Sequence, residues 1–460
     1  MDKLIVVSVD AHAQIPPDAW ADYLEPTYHE HLASLREEHE RFREIFGGLV
    51  LERIYCDPEV FDTEGAYGAG GAAGLYDLDV RLGQMDREGV AADFLIFGDP
   101  RYVSMFFANS NRRYPLEVRS AGVRAWHRWV HDTFGGVPDR FFPVGLLGCA
   151  PCLDMDETLE ELDWIADHGF VGTLVPGFTD HPDLPPLSDD YWEPFWARCE
   201  ERRIGLFVHA GYGHEQGPFA DEVEVLHQEI AAAGGVTEEL LERRNQEIVA
   251  NKFFSTLQAR RPLWQILLGG VFDRHPDLRL VMTEVRADWI PAMLGHLDAV
   301  HAEHRSELRA QRTPSEYWAS NCLTSVSFVH RAEVEMRDEI GVDTMAFGTD
   351  FPHSEGTWPN TKQWLADAFV GVTEEDLRRI LGENVIRFFG LDRARLAEIA
   401  ARIGPTVDEI LARGPASPAL VEHFDRRGGY LKPAERDSQL AAVDSMLRDD
   451  LRPGAPLLRA

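Results

Sequence analysis

The sequence predicts an α/β fold: a parallel (β/α)8 or TIM barrel with insertions after strands 1 and 5 and a C-terminal helical arm. Three observations carry this expectation. Short apolar, β-branched runs alternate with longer amphipathic stretches along most of the chain, the pattern of β/α units around a parallel sheet. Eight such runs can be counted, the strand number of this barrel. Histidines and carboxylates stand where several of the runs end, as expected if all strands aim their C-terminal ends at one functional face.

Taken in order, the first run is 4–9, leading into Asp10 and His12. Residues 19–75 break the rhythm with a charged helical stretch at 28–46 and a Gly/Ala-rich loop at 65–74, so they are expected to overhang the functional face as a lid or dimer arm. A helix over 76–88 then precedes a strand at 92–97, and a helix over 112–134 precedes a nearly all-apolar strand at 141–148. A helix at 155–168 stops at Gly169 before the fourth strand, 170–175. Another helix, 188–202, leads to the run ending at His209. Residues 211–262 form a second, acidic lid-like insertion. The remaining strands are expected at 279–284, 322–328 and 344–349, with helices at 263–273, 287–305, 331–340 and 361–390. Residues 1–390 are thus read as the barrel and 391–460 as a helical arm, including a polar helix at 433–449. There is no tandem repeat or low-complexity block.

Composition removes several functions. A formal charge of −33 over 460 residues, without a basic cluster, argues against binding nucleic acid or an anionic membrane. No apolar run approaches the roughly 20 residues of a membrane span. Five scattered cysteines and the absence of a recognisable signal peptide fit reduced thiols, so a cytoplasmic protein is expected. Cys149 and Cys152 have CxxC spacing, but no second pair completes a zinc knuckle. The expected partner is a small-molecule substrate, and the lid and arm suggest a homodimer or higher homo-oligomer.

The chemistry is concentrated at strand ends. In a strand, residues i and i+2 face one side, so Asp10 and His12 can reach one ion. His209 is followed by Ala210 and Gly211, which leave room for a ligand. Asp350 lies where a strand gives way to the loop Phe351-Pro352-His353; it can touch a metal and exchange a proton with water on it, or instead form an Asx turn. Asp10, His12, His209 and Asp350 are therefore the expected metal ligands. Glu284 closes an apolar run, where an unpartnered carboxylate is costly. It is a general acid or base, a partner of a histidine, or the ion-pair mate of Arg286. His353 can bind substrate, pass protons or support a ligand. Asp350, Glu284 and His353 make up the expected catalytic set.

Arg101 and Arg286, with Arg260 and Arg261, are placed to clamp a substrate carboxylate, and Tyr212, Trp289, Trp358 and Phe351 to wall an aromatic pocket. Surface and packing roles are the alternatives for each. The chain has four lysines, Lys3, Lys252, Lys362 and Lys432, none at a strand end. A carbamylated-lysine bridge between two metals is thereby excluded, and a mononuclear centre is expected. No phosphate-binding glycine loop and no GxSxG elbow occurs.

These motifs resemble the amidohydrolase superfamily, and within it the amidohydrolase-related family that includes aminocarboxymuconate-semialdehyde decarboxylase and the γ-resorcylate-type decarboxylases. The carriers are Val9-Asp10-Ala11-His12, Val208-His209-Ala210-Gly211, the stretch 270–279, Glu284 through Pro291, Gly348 through His353, and Gly382-Glu383-Asn384. They span roughly residues 4–30 and 80–410. The resemblance implies that Asp10, His12, His209 and Asp350 bind the metal. Several members have His-x-His or Glu-x-His in place of Asp10-x-His12, and Ile15-Pro16 stands where many long-form relatives have Glu-Pro. The family's decarboxylases carry a catalytic histidine where this chain has Glu284, which favours hydrolysis.

The expectation is one divalent ion per subunit, Zn2+ first with Mn2+ or another ion as the alternative, because the ligands mix nitrogen and oxygen. The expected reaction is hydrolysis of a C–N bond in a small aromatic, carboxylate-bearing substrate, or the reverse heterocycle-forming condensation. Non-oxidative decarboxylation of an aromatic acid is the first alternative, and a metal-free binding or scaffold barrel the second.

Overall fold

A computed structural model describes residues 3–46, 58–98, 114–147, 154–176, 184–210, 259–353, 356–427, 443–452 and 457–458, with a few positions between 225 and 243. Eight parallel strands close into a barrel in sequential order. They are β1 Val7–Ala13, β2 Ala92–Phe97, β3 Phe141–Gly145, β4 Gly172–Leu174, β5 Gly205–His209, β6 Leu280–Thr283, β7 Cys322–Ser327 and β8 Met345–Gly348. Closure runs through Ser8 of β1 beside Phe347 of β8. The strands are buried almost throughout, which is why they read as continuous apolar runs rather than alternating ones.

The lower half of the barrel is filled by aromatic rings. Phe94 and Phe207 meet Phe389, from the helix Asn384–Phe389, at centroid distances of 4.9 and 5.9 Å. Gly205 makes room for that plug, since a Cβ there would stand 2.9 Å from the Phe389 ring. The plug sits where the strands begin, away from His12, His209 and Asp350 at their far ends.

Several expectations shift. The first strand is not 4–9 but Val7–Ala13, so Asp10 and His12 lie within it rather than after it. Leu4 instead donates its backbone N–H to Pro405, and the β1–β2 register slips between Ser8 and Ala11. A helix at Pro314–Asn321, absent from the sequence reading, begins with a Thr313–Glu316 capping box. The helix expected at 331–340 is two pieces, Arg331–Glu335 and Arg337–Ile340. Around the first insertion, Ala66, Phe351 and Trp358 are buried against one another and Ala11, with Tyr67 and Ala72 packed on them.

Beyond the barrel, helices Arg393–Ile403, Val407–Leu411 and Pro418–Arg427 follow one another. Phe424 packs on Trp364, with ring centroids 4.1 Å apart. Further on, Asp450 accepts two hydrogen bonds from Arg261 (2.9 and 2.5 Å) and one from the Trp264 indole (2.8 Å). Most of the second insertion, 211–258, and the CxxC pair lie outside the described residues.

Candidate metal centre

The C-terminal ends of β1, β5 and β8 bring Asp10, His12, His209, Asp350 and His353 together. Among the described residues two overlapping sets have ligand atoms mutually within 4.8 Å: Asp10, His12 and His209, and His12, Asp350 and His353. His12 Nε2 lies 2.8 Å from Asp350 Oδ1 and 3.8 Å from Asp10 Oδ1. His209 Nε2 lies 3.4 Å from Asp10 Oδ1. The four expected ligands are therefore in one place.

Local structure explains the convergence. Asp10 reaches β8 because Gly348 has no side chain: a Cβ there would be 2.7 Å from that of Asp10 and 2.8 Å from Ser325 Oγ. The His12 ring lies against Gly98, where an added Cβ would stand 3.0 Å from Nδ1. The backbones of Asp10 and Asp350 are joined directly, Asp350 N–H donating to Asp10 O at 2.8 Å, and His12 N–H donates to Phe351 O at 2.7 Å. Ser327 donates its hydroxyl to Asp10 Oδ2, fixing the carboxylate plane. Four non-glycine residues with positive φ mark the ends of β6, β7 and β8: Glu284 (55°), Arg286 (64°), Phe328 (43°) and Asp350 (54°). Such backbone typically costs about 1–3 kcal/mol per residue and gathers at functional sites.

The electrostatics are those of buried histidines and carboxylates facing one another. Burial alone would lower the basicity of His209, but Asp10 and then Glu284 outweigh it and raise its pKa to about 9. Burial alone would raise Asp350, yet His353 and His12 hold its carboxyl well below the usual range. Asp10 Oδ1 and Asp350 Oδ2 are buried acceptors that receive no hydrogen bond. Buried carboxylate oxygens of this kind need a cation or a donor. Imidazole nitrogens with carboxylate oxygens suit a divalent transition metal, so these residues fit one.

Glu284 does not point freely into the centre. Its Oε2 is 3.4 Å from His209 Nδ1, which also lies 2.9 Å from Ala210 O. Both contacts place the ring proton on Nδ1 and leave Nε2 to face Asp10, the outer carboxylate arrangement of many metal-bound histidines. His353 Nδ1 is 3.0 Å from Asp350 Oδ1, its ring is stacked on His12 at 4.2 Å, and 14% of its side chain is exposed.

The other expected residues divide. Arg101 and Tyr212 lie outside the described residues. Arg286 is buried, its Nε 3.3 Å from Asp288 Oδ1. Arg260 sits 4.6 Å over the Trp289 ring; burial, reinforced by Arg286 and only partly offset by Asp288, brings its pKa down to about 9. The Trp289 indole donates to Val285 O and Arg286 O, bracing the turn after β6. Trp358 is packed against Phe351 and donates to Gln84, between the first insertion and the β8 loop. Arg261 is turned toward Asp450.

The supporting roles of Ser327, Gly98, Gly348 and Arg81 do not stand out in the sequence. A glycine or hydroxyl residue at a strand end was the available signal for the first three. Arg81, on the buried face of a helix, was visible only as a charge out of pattern.

The family described as Amidohydrolase matches residues 111–391, more than half the chain. Solved structures show the same fold at low identity. An amidohydrolase from Mycobacterium avium subsp. paratuberculosis K-10 is 19% identical with a TM-score of 0.57, covering 85% of this chain and 100% of its own. The 2,6-dihydroxybenzoate decarboxylase from Rhizobium is 20% identical, TM-score 0.54, covering 84% and 99%. A dihydroxybenzoic acid decarboxylase from Polaromonas sp. JS666, with bound manganese and 2-nitroresorcinol, is 17% identical, TM-score 0.53, covering 86% and 99%.

Proposed function

The chain belongs to the amidohydrolase family, and from that premise we propose that it is a mononuclear, metal-dependent hydrolase of a C–N bond in a small aromatic, carboxylate-bearing molecule. The observation that carries this reading is the pair of clusters sharing His12, Asp10–His12–His209 and His12–Asp350–His353, in which Asp10 Oδ1 and Asp350 Oδ2 are buried without a hydrogen bond. These four residues would hold the ion, Zn2+ first and Mn2+ second. A divalent cation there supplies Lewis-acid polarisation of a substrate oxygen and lowers the pKa of water from about 16 toward 7.

The chain's own groups do the rest. Asp350 takes the proton from water. The proton moves on to His353, whose Nδ1 is 3.0 Å from Asp350 Oδ1. His353, partly exposed, delivers it to the leaving nitrogen. Glu284 keeps the His209 proton on Nδ1. Run backwards, the same groups serve a ring-closing condensation.

Decarboxylation of an aromatic acid is the second reading, favoured by the chemistry of the Rhizobium and Polaromonas neighbours. Against it, Glu284 is engaged with His209, so the end of β6 offers no free acid to protonate a ring carbon. The metal-loaded protein, incubated with hydroxylated benzoates and with aromatic amides and cyclic imides, is expected to open C–N bonds and to lose turnover in Asp350→Asn. Carbon dioxide release without hydrolysis would overturn the hydrolase assignment. Purified protein without stoichiometric metal, unable to take any up, would leave only a scaffold role.

A further inference from the structure

Arg81 is fully buried, and its hydrogen bonds go to Asp93 and to backbone carbonyls rather than to the side chains of the expected ligands. It sits on the helix Leu78–Glu88, just after the first insertion. Its Nε and Nη2 engage Asp93 Oδ2 of β2 at 2.9 and 2.7 Å. Its Nη1 donates to His12 O at 2.8 Å and to Gly74 O at 3.4 Å. The guanidinium lies 4.1 Å over the ring of Phe351, the residue after Asp350. One side chain thereby holds the backbone of one expected ligand, the neighbour of another, and the insertion. A neighbouring backbone bond, Gln14 N–H to Leu75 O at 3.1 Å, ties the insertion to β1 a second time.

A buried ion pair is an expensive way to hold a helix in place. Burial pushes the Asp93 carboxyl up and the Arg81 guanidinium down against their mutual attraction. An apolar pair of similar volume would pack the same helix without that cost. What a guanidinium adds is several directed donors in one plane, enough to fix three chain segments relative to one another. Close packing around it leaves no slack: a Cβ on Gly74 would stand 3.0 Å from Arg81 Cα and 3.1 Å from the Phe351 ring.

We propose that Arg81, fixed by Asp93, is a positioning residue that couples docking of the segment 66–77 to cation binding by His12 and Asp350. The coupling rests on the metal-centre reading above, and it is reciprocal: whatever orders the segment tightens the ion, and the ion orders the segment. Partners that orient metal ligands typically change affinity by about 10–100-fold when removed.

The test reads metal binding and backbone exchange rather than turnover. Full-length protein is stripped, then titrated with Mn2+ and with Zn2+ in a competing chelator. Arg81→Met is expected to weaken both by about 10–100-fold, with Arg81→Lys intermediate, since a lysine keeps the charge but loses the fork. In wild-type protein, added metal is expected to slow amide exchange across 66–77 while leaving 393–403 unchanged. Should Arg81→Met fail to fold, Gly74→Ala, whose added methyl presses on Arg81 and Phe351 without removing a charge, is expected to weaken metal binding several-fold with unchanged circular dichroism. Unaltered metal affinity in a folded Arg81→Met or Gly74→Ala protein would overturn the coupling while leaving the metal centre intact. A wild-type protein that binds neither ion would overturn the metal centre itself, and the coupling with it.

Discussion

His209 shows how a single residue's surroundings set a measurable property of the whole site. In metal-stripped protein its imidazole is protonated below about 9, because Asp10 and Glu284 outweigh burial. A cation binding at Nε2 must displace that proton. Between pH 7 and about 9 the apparent affinity is therefore expected to rise about tenfold per pH unit, then level off above 9. The sign follows from the raised value: acid protects the histidine from the metal, and base exposes it. Calorimetric titration in buffers of different ionisation enthalpy should find close to one proton released at pH 7.5; a flat profile would mean that His209 is not a ligand. Glu284→Ala belongs to the same logic. Losing the carboxylate 3.4 Å from Nδ1 is expected to weaken metal binding by about tenfold or more while leaving turnover per bound ion nearly unchanged. A large fall in turnover at saturating metal would instead make Glu284 an acid or base in its own right.

At the scale of elements, the strands were legible and their ends were not. Each of the eight runs recognised by apolarity is a barrel strand, because burial on both faces removes the alternation that would blur it. The first strand slipped three residues because Leu4 to Val6 are equally apolar, yet Leu4 bonds to Pro405 and Val6 accepts from Ala91, ahead of the β1–β2 ladder. The helix Pro314–Asn321 went unread because its opening signal is a side-chain capping box on a short, weakly amphipathic stretch. Candidate ligands were legible from residue type at strand ends; what supports them was not, since a glycine's value lies in a neighbour that sequence does not name. Gly348 is the sharpest case. Gly348→Ala would press a methyl against Asp10 Cβ at 2.7 Å and two serine hydroxyls, a strained fit between β8, β7 and β1. It is expected to cost about 1–3 kcal/mol in denaturant unfolding and to weaken metal binding as well. Unchanged stability would mean that the strands can separate there at no cost, contrary to the packing.

For the whole molecule, the question is how the C-terminal segment bears on a barrel that closes without it. The attachment at Asp450 is specific: this buried carboxylate takes a bidentate grip from Arg261 and the indole N–H of Trp264, at the start of the helix Arg261–Leu268. The residue before that helix is Arg260, whose guanidinium covers Trp289 beyond the end of β6. Truncating Asp450 strands a buried indole donor and leaves Arg261 without its carboxylate. Arg261 is about one-fifth exposed, so water recovers part of the loss, and the expected cost is about 2 kcal/mol. Asp450→Ala should therefore loosen residues 443–452 before it loosens the barrel. Limited proteolysis is expected to cut that segment early while the barrel core stays resistant. If the helix Arg261–Leu268 is what holds Arg260 over Trp289, the variant should also raise KM for an anionic substrate with little change in kcat. Early cleavage with an unchanged KM would confine Asp450 to anchoring; resistance equal to wild type would show that the apolar contacts of Val443 and Leu447 hold the segment without it.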